Sequence, residues 1–496
     1  MGGPPTGISE EEWLSWPAGA RELILSQQQE IELLRAQLTA LATELANLRE
    51  QIGRSSRNSS KPPSSDGPGF KPPERRKGSG RKRGGQPGHP GSGPELLACE
   101  RVDEVVEHHP DACRRCGTLL VGEDRDPLRH QVIEIPPITP VVIEHRLHRL
   151  VCPCCSTSTC ATLPLDVEAS RYGPRLSALV GMLGSAFPLS FSKTKALLKQ
   201  LLGVTISRSA IAAIRRRLSA ALEQPSSLAL EVARQQPVAY VDETGAPTGN
   251  ADGGNPKRRR GWQWVMVTPV VTVFQQGLSR SGAAAIELLG NGFGGIVVSD
   301  RFSAYNHLPI QQRQLCWAHV IRDLVAIAER PGASAEFGAQ LLELQKQLFV
   351  QWNRYNNGTI DWPTVQQASR AIRKGFMAVL ERIVALGVER GERTPWAKTV
   401  RTCQQLHSVA VGLWTFLEIK GIEPTNNAAE RALRQSVIQR KISHGVQSLQ
   451  GGICRSRLLT VTTTLRQQGR DVWHFLEQAW IAHHRGQVMP SLLANC

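Results

Sequence analysis

The sequence predicts a mixed α/β core that follows a coiled coil, a cysteine-rich module and a helical region. Short β-rich apolar runs, bounded by Gly, Pro or charged residues, occur between residues 237 and 300, with one helical stretch among them. Amphipathic helical patterns then dominate residues 335–420. A chain of 496 residues exceeds one ordinary core, and at about 150 residues per domain roughly three domains are expected.

An N-terminal heptad pattern predicts a coiled coil. Its apolar positions alternate by three and four residues, with only Gln27 interrupting, which favours paired helices over a lone surface helix. We therefore expect a homodimer or a larger assembly, the alternative being that the stripe packs against another domain of the chain. The heptad positions are Ile24, Ile31, Leu34, Leu38, Leu41, Leu45, Leu48 and Ile52.

A basic segment follows the heptads. Residues 54–83 hold ten basic and two acidic residues, which is half of the net charge of +16. The segment is rich in Pro, Gly and Ser, so it is expected to be disordered, and its charge predicts a polyanion partner, with double-stranded DNA as the first candidate over a plain solvated linker. The expected DNA contacts here are Arg75, Arg76, Lys77, Arg81, Lys82 and Arg83.

The chain is expected to be cytoplasmic. Its first residues do not combine a basic stretch with an apolar run, so no secretory signal is predicted. Apolar runs of about 18 residues, which a membrane span would need, are also missing from the sequence. The eleven cysteines are therefore interpreted as metal ligands or free thiols rather than as a disulfide framework.

Two C-x-x-C pairs predict a structural zinc site. Cys113 and Cys116 form the first pair and Cys152 and Cys155 the second, and four thiolates suit one tetrahedral Zn²⁺. Cys154 lies inside the second pair and is an alternative fourth ligand. The segments 129–135 and 139–151 between the pairs have the composition of short strands.

Residues 171–222 predict two helices joined by a tight turn. The first helix should end near Leu202, and Ser207 should cap the second. A helix-turn-helix that reads the major groove and an ordinary helical hairpin explain this pattern equally well. Basic residues on the second helix are expected to contact DNA: Arg208, Arg215 and Arg216.

Carboxylates end two of the predicted strands. Asp242 follows the run AYV, and Asp300 follows IVVS. Either alone is commonly a turn or cap residue, but two in one β-rich region can share divalent cations, and two such ions can act on a phosphodiester. Glu430, in the stretch PTNNAAERALR, is available as a third carboxylate. Its simpler role is a capping box, because Asn427 precedes it by three residues.

Four blocks, in this order, resemble the transposase of the bacterial insertion sequence 66 family: VDETG, SDRFSAYN, CWAHVIRDL and PTNNAAERALR. The N-terminal half is similar too, in RNSSKPPSSD, GGQPGHPG and HHPDACRRCG. The resemblance implies a DDE transposase with a ribonuclease-H-like core and an all-α insertion at 323–422. It also implies that Asp242, Asp300 and Glu430 form the catalytic triad and bind two Mg²⁺ or Mn²⁺ ions. The implied reaction is cleavage at terminal inverted repeats and strand transfer into target DNA.

Other residues are expected to support that site. Asn426, Asn427 and His319 would assist near the metal ions, whereas a core position is almost as good an interpretation of His319. Glu243 should point to the opposite face of its strand from Asp242. Arg431, Arg434 and the basic turn Lys257, Arg258, Arg259 and Arg260 would contact the DNA backbone.

Two other functions compete with transposition. One is a metal-dependent nuclease of the same fold that cuts without joining, and the other is a zinc-containing DNA-binding repressor or inactive derivative. Accessory proteins of the same element are implied by the resemblance, and the protein would be associated with the nucleoid. The expected segments are 1–53 (coiled coil), 54–95 (basic linker), 96–165 (zinc module), 166–233 (helix-turn-helix-like), 234–322 (first catalytic part), 323–422 (insertion), 423–450 (catalytic helix) and 451–496 (C-terminal helices).

Overall fold

The computed structural model describes residues 9–53, 96–164, 167 and 170–493. Within these ranges, residues 9–53, 170–190 and 212–493 form one compact unit, and residues 96–164 and 191–211 form a second. Helix α1 is Glu10–Ser15 and helix α2 is Ala18–Gly53. The heptad residues from Ile31 to Leu45 are about half exposed or more. A continuous helix is therefore confirmed, and its pairing with another helix stays a prediction.

The cysteine-rich unit contains little regular structure. Strand β1 is Arg149–Val151 and strand β2 is Ser158–Cys160, and the two pair in antiparallel fashion. The strand predicted over residues 129–135 is wrong, because its backbone has no ladder partner among the described residues. Val132 and Ile133 are both 81% exposed there, so their apolar side chains do not pack in the core of a sheet.

The helical region begins with helix α3, Pro174–Ser185. The predicted helix pair follows, and its local geometry is confirmed. Its first member is helix α4, Phe191–Leu202, after which Gly203 adopts a φ of +66° and reverses the chain. The Ser207 Oγ accepts the N–H of Ala210 at 3.1 Å. This cap begins α5, Arg208–Ala221, which is followed by α6, Glu223–Arg234. Docking of α5 into DNA stays a prediction.

A five-stranded sheet forms the centre of the α/β core. The strands lie in the order β5-β4-β3-β6-β7. Strands β5, β4 and β3 are antiparallel neighbours, whereas β3, β6 and β7 are parallel. Helix α7, Gly282–Leu289, lies between β5 and β6 in the chain. The strands are β3 Val238–Gly245, β4 Trp262–Val267, β5 Thr272–Gly277, β6 Ile296–Ser299 and β7 Arg313–Leu315.

The remainder of the described chain is helical, as its amphipathic patterns predict. Helices α9 to α12 lie within the predicted insertion, and α8 begins a few residues before it. The helices are α8 Trp317–Ala328, α9 Ala333–Asn356, α10 Trp362–Leu386, α11 Pro395–Ser408, α12 Thr415–Glu418, α13 Asn427–Ser443, α14 Leu449–Gln467 and α15 Val472–Arg485. No described helix is long and apolar enough to cross a membrane.

Helix α14 covers the edge strand β5. The N–H of Thr272 donates to the Oγ1 of Thr464 at 3.0 Å, and the N–H of Phe274 donates to the Oγ1 of Thr460 at 2.9 Å. Threonine hydroxyls thus satisfy donors that an edge strand would otherwise offer to another chain. Helix α14 therefore protects the edge of the sheet at β5, and the parallel strands β6 and β7 lie towards the opposite edge.

An aromatic cluster joins the sheet to the helical insertion. Trp317 is fully buried, and its ring centroid lies 5.4 Å from that of Trp414 and 5.5 Å from that of Phe376. The Trp317 Nε1–H donates to the carbonyl of Leu413 at 2.8 Å. The start of α8 is therefore held by packing and by a satisfied buried hydrogen bond.

We expect truncation of this cluster to destabilise the protein strongly. Phe376→Ala removes a side chain that is 1% exposed, and a comparable cavity costs about 3–5 kcal/mol in the free energy of unfolding. Phe187→Ala, at a position 53% exposed, is the matched control and should cost about 1 kcal/mol or less. Urea unfolding followed by tryptophan fluorescence measures both, and equal costs would contradict the central position of the cluster.

Candidate functional site

Strand register brings Asp242 and Asp300 side by side. Tyr240 is the partner of Val298 in the parallel pair of β3 and β6. Extending this register by two residues places Asp242 next to Asp300, which directly follows β6. The prediction that Asp242 ends its strand is wrong, because β3 continues to Gly245 in its pairing with β4. The Asp242 Oδ1 accepts the N–H of Glu243 at 2.8 Å, and the Asp300 Oδ1 accepts the N–H of Phe302 at 2.9 Å. The two carboxylates therefore lie side by side where the parallel pairing of β3 and β6 ends.

Cys316 extends this row to the third parallel strand. Ser299 on β6 is the partner of Leu315 on β7, so the next residues, Asp300 and Cys316, are also neighbours. The N–H of Cys316 donates to the carbonyl of Ser299 at 2.8 Å. Three neighbouring strands thus present Asp242, Asp300 and Cys316 in one row.

Residues 424–426, which we call the strap, hold the start of α13 against β3 and against the residues that follow β7. The Asn426 N–H donates to the Cys316 Sγ at 3.1 Å, and its side-chain Nδ2 donates to the carbonyl of Val241 at 2.8 Å. The N–H of Trp317 donates to the carbonyl of Pro424 at 2.9 Å. The first turn of α13, with Glu430, is thereby fastened beside Asp242 and Asp300.

The predicted capping box is wrong. Asn426, not Asn427, is the N-cap of α13, and its side chain makes no capping hydrogen bond because it is bound to β3. The Oε1 of Glu430 is buried without a hydrogen-bond partner. It lies 3.9 Å from the His319 Nδ1 and 3.7 Å from an Arg322 guanidinium nitrogen. Glu430 is therefore directed away from its own helix end and towards α8.

The carboxylates interact electrostatically. Burial raises the pKa of Asp242 well above its usual range, and the charges of Glu243, Asp300 and Glu430 raise it further. Burial also raises the pKa of Glu430, where Arg322 acts in the opposite direction and Asp300 adds to the rise. Charges that repel one another at a shared edge are the environment in which a bound cation is most stabilising.

Glu243 points away from the row, as the alternation of a strand predicts. Its Oε1 forms an ion pair with Arg280 at 2.7 Å, and its Oε2 accepts the Tyr305 hydroxyl at 2.8 Å. These two partners satisfy a side chain that is only 8% exposed. Glu243 therefore has a structural environment of its own, although its charge acts on the neighbouring Asp242.

A tighter cluster forms beside the row. Ligand atoms of Cys316, His319 and Glu430 all lie within 4.8 Å of one another. Within the part of the chain that the structure describes, Asp242 and Asp300 do not belong to such a cluster. The sequence indicates the C-x-x-H spacing of Cys316 and His319, but no local signal connects that pair to a glutamate more than 100 residues later.

A basic loop between β3 and β4 lies on the start of α14. The Asp252 carboxylate accepts the N–H groups of Leu449 at 3.3 Å and Gln450 at 2.8 Å. Buried Asn255 bonds both the N–H and the carbonyl of Arg259, so the exposed turn 257–260 has a defined backbone. The predicted basic turn is thus a supported element rather than a free hairpin.

Most of the other predicted DNA contacts that the structure describes are exposed. Arg431 and Arg434 are exposed on α13, and Arg208 and Arg216 are exposed on α5. Arg215 differs, because its guanidinium donates to the carbonyl of Gly184 and burial lowers its pKa. Its prediction as a DNA contact is therefore corrected to a structural role. The six basic residues predicted between Arg75 and Arg83 lie outside the described residues.

The two C-x-x-C pairs adopt matching knuckles. In the first, the N–H of Cys113 donates to the carbonyl of Thr118, and Gly117 has a φ of +75°. In the second, Cys152 donates to Thr157, and Ser156 has a φ of +56°. The left-handed residue directly follows Cys116 in one knuckle and Cys155 in the other. Cys155, not Cys154, is therefore the structural counterpart of Cys116.

The knuckle thiols have the chemistry of zinc ligands. Hydrogen bonding with Thr118 lowers the pKa of Cys116 to about 7, and hydrogen bonding with Thr157 lowers that of Cys155. Such thiols ionise readily, and thiolates are preferred by Zn²⁺. Each pair is assembled locally, whereas the described structure does not gather all four sulfurs within 4.8 Å.

Comparison with known proteins identifies the class and then the family. Residues 110–156 match the zinc-finger binding domain of transposase IS66, which indicates a DNA-binding transposase. Residues 169–453, more than half of the chain, match the profile described as Transposase IS66 family, and the chain belongs to that family. Residues 18–95 match DUF6444, a family of unknown function. The chain is also 24% identical over 423 residues to the uncharacterised protein y4qI of Sinorhizobium fredii, covering 79% of this chain and 75% of that protein.

The knuckle geometry predicts which cysteine completes the zinc module. Cys155→Ser should remove one equivalent of zinc from the purified chain, because it deletes the counterpart of Cys116. Cys154→Ser is the matched control, one residue away and exposed, and should retain the zinc. Zinc content per chain, measured by elemental analysis, checks both variants. Loss of zinc in Cys154→Ser with retention in Cys155→Ser would reverse the assignment.

The raised pKa of Asp242 predicts a loss of stability with rising pH. The folded state retains a proton that the unfolded state releases near a pKa of about 3.9, so stability falls as pH rises from there through the raised pKa. Asp242→Asn keeps the Oδ1 acceptor but removes the charge, so without divalent cations it should melt higher than wild type at pH 8. This difference should shrink towards pH 4. Equal melting temperatures at pH 8 would show that the charge of Asp242 does not destabilise the folded state.

Proposed function

We propose that this family member is a DDE-type transposase that cuts DNA at the ends of its element and joins them to target DNA. The observation that carries the proposal is that Asp242 on β3 lies beside Asp300, which follows the neighbouring parallel strand β6, with Glu430 fastened next to them. A sheet of three antiparallel strands followed by two parallel ones supports a ribonuclease-H-like core. The helices α9 to α12 then form the insertion between the second and third carboxylates.

In this proposal Asp242, Asp300 and Glu430 hold two Mg²⁺ or Mn²⁺ ions. Carboxylate oxygens are the ligands that these hard cations prefer, and the Oε1 of Glu430 has no hydrogen-bond partner that would compete with a cation. When bound, such ions activate the attacking oxygen and stabilise the leaving oxygen at a phosphodiester. The side chains position the ions and the DNA, and the freed 3′-hydroxyl attacks target DNA directly. No covalent enzyme intermediate is required.

The exposed arginines account for DNA positioning in the proposal. Arg431 and Arg434 occupy the exposed side of the helix that carries Glu430, and the basic loop 257–260 follows the strand that carries Asp242. Contacts from these groups to phosphates would place a DNA strand at the carboxylates without reading its sequence. Recognition of the terminal repeats is assigned to the zinc module and to α4 and α5, with Arg208 and Arg216 as contacts.

Self-association completes the proposed function. Two element ends must be brought together before joining, and the exposed heptad stripe of α2 offers a surface for pairing with a second copy. We assign the coiled coil to this homodimer or larger assembly, with accessory proteins of the same element as further partners. The assembly would act on DNA in the bacterial nucleoid.

The test compares wild type with Glu430→Gln on a labelled duplex that carries the element end, with Mg²⁺ or Mn²⁺. Gln preserves size and helix propensity but lacks the charge that a metal ligand needs. We expect cleavage and strand transfer to fall by at least about 100-fold while DNA binding is retained. Glu418→Gln, at an exposed position on α12, is the matched control and should act like wild type.

The outcomes separate the candidate functions. Full activity of Glu430→Gln would remove Glu430 from the triad. Cleavage without joining by wild type would favour a nuclease. A folded wild type that binds the element end but never cuts it would favour the zinc-containing DNA-binding repressor.

A further inference from the structure

The side chains of Cys316, His319 and Glu430 come together from two helices and one strand end. Cys316 is the N-cap of α8 and follows β7, His319 lies in the first turn of α8, and Glu430 lies in the first turn of α13. Their potential ligand atoms all lie within 4.8 Å of one another. The strap maintains this arrangement, because Asn426 bonds the Cys316 sulfur directly.

Two members of this cluster contain buried polar atoms whose hydrogen-bonding capacity is unused. The Nδ1 of His319 and the Oε1 of Glu430 are both buried without a hydrogen-bond partner and lie 3.9 Å apart. The Arg322 guanidinium, 3.7 Å from the Oε1, is too far away to donate a hydrogen bond. Buried polar atoms in folded proteins nearly always have a hydrogen-bond partner, so two without one that face each other require an explanation. A direct hydrogen bond does not provide one, because 3.9 Å is too long.

We propose that Cys316, His319 and Glu430 form a binding site for Zn²⁺ that is distinct from the cysteine knuckles. A sulfur, an imidazole nitrogen and a carboxylate oxygen are the donors that Zn²⁺ accepts, whereas Mg²⁺ prefers oxygen alone. Bond lengths of about 2.0–2.3 Å place tetrahedral ligands roughly 3.3–3.8 Å apart. Side-chain rotations that move the ligand atoms by about an ångström therefore bring all three within bonding distance of one ion.

The surroundings of the cluster also suit a zinc site. The backbone N–H of Asn426 donates to the Cys316 Sγ and fixes the orientation of the sulfur. Three protein ligands leave a fourth position for water, as in exchangeable rather than closed zinc sites. Arg322 balances part of the negative charge of thiolate and carboxylate.

Glu430 belongs to this site and to the proposed magnesium site. A carboxylate bound to zinc beside His319 is withdrawn from the ions that Asp242 and Asp300 would hold. Zinc should therefore inhibit magnesium-dependent cleavage. This consequence rests on the proposed function, whereas zinc binding itself does not.

The test of binding is the zinc content of the full chain after equilibration with zinc and removal of excess. Wild type should hold two equivalents, one in the knuckles and one in the cluster. Cys316→Ser and His319→Gln should each hold one, because loss of a ligand weakens affinity by about tenfold or more. Cys403→Ser replaces a buried cysteine on α11 and, as the matched control, should hold two. Circular dichroism confirms that each variant is folded.

One equivalent in wild type, or two in both ligand variants, would overturn the site. Cys155→Ser provides the opposite check, because it should lose the knuckle equivalent and keep the cluster equivalent. Zinc is then titrated into the magnesium-dependent cleavage reaction. Cys316→Ser should require at least about tenfold more zinc than wild type for half-inhibition of its own activity. Inhibition at equal concentrations would overturn the sharing of Glu430, and absence of wild-type cleavage would count against the proposed function while leaving the zinc count valid.

Discussion

The site depends on the hydrogen bonds that tie Asn426 to strand β3 and to the residue that follows β7. Its side chain binds the carbonyl of Val241, next to Asp242, and its backbone binds the sulfur of Cys316. These bonds decide where α13 begins and therefore where Glu430 lies. A helix that reaches the sheet from a distant part of the sequence has no local register to guide it. One buried asparagine with two fixed partners supplies this register.

The same arrangement concentrates negative charge that folding alone would avoid. Burial and neighbouring acids raise the pKa of Asp242, and Glu430 is raised by burial in spite of Arg322. Pairing each acid with a base would relieve the repulsion, as Arg280 does for Glu243. The row instead leaves an unpartnered oxygen on Glu430. Repulsion between carboxylates in an otherwise well-packed core is typical of functional sites.

The sequence was sufficient for features that depend on local pattern. Acids that follow apolar runs identify Asp242 and Asp300, although β3 continues for three residues beyond Asp242. Ser207 and Gly203 locate the turn between α4 and α5. Features set by distant contacts were missed. The spacing of Asn427 and Glu430 suggests a capping box, but tertiary bonds of Asn426 override it. Arg215 carries the charge of a DNA contact, yet α3 buries it, and the three-residue β7 is too short to show a pattern.

The helical insertion supports the site although it contributes none of the three carboxylates. Trp317 packs against Phe376 and Trp414 of the insertion, and its backbone N–H holds Pro424 of the strap. The residue on one side of this anchor is Cys316, which contacts Asn426. Disturbance of the insertion core would therefore move both the strand end and the helix that face each other across the site. Trp317 contacts the insertion core and the strap, and it directly follows Cys316. Packing in the core therefore sets the distance between Glu430 and the row formed by Asp242, Asp300 and Cys316.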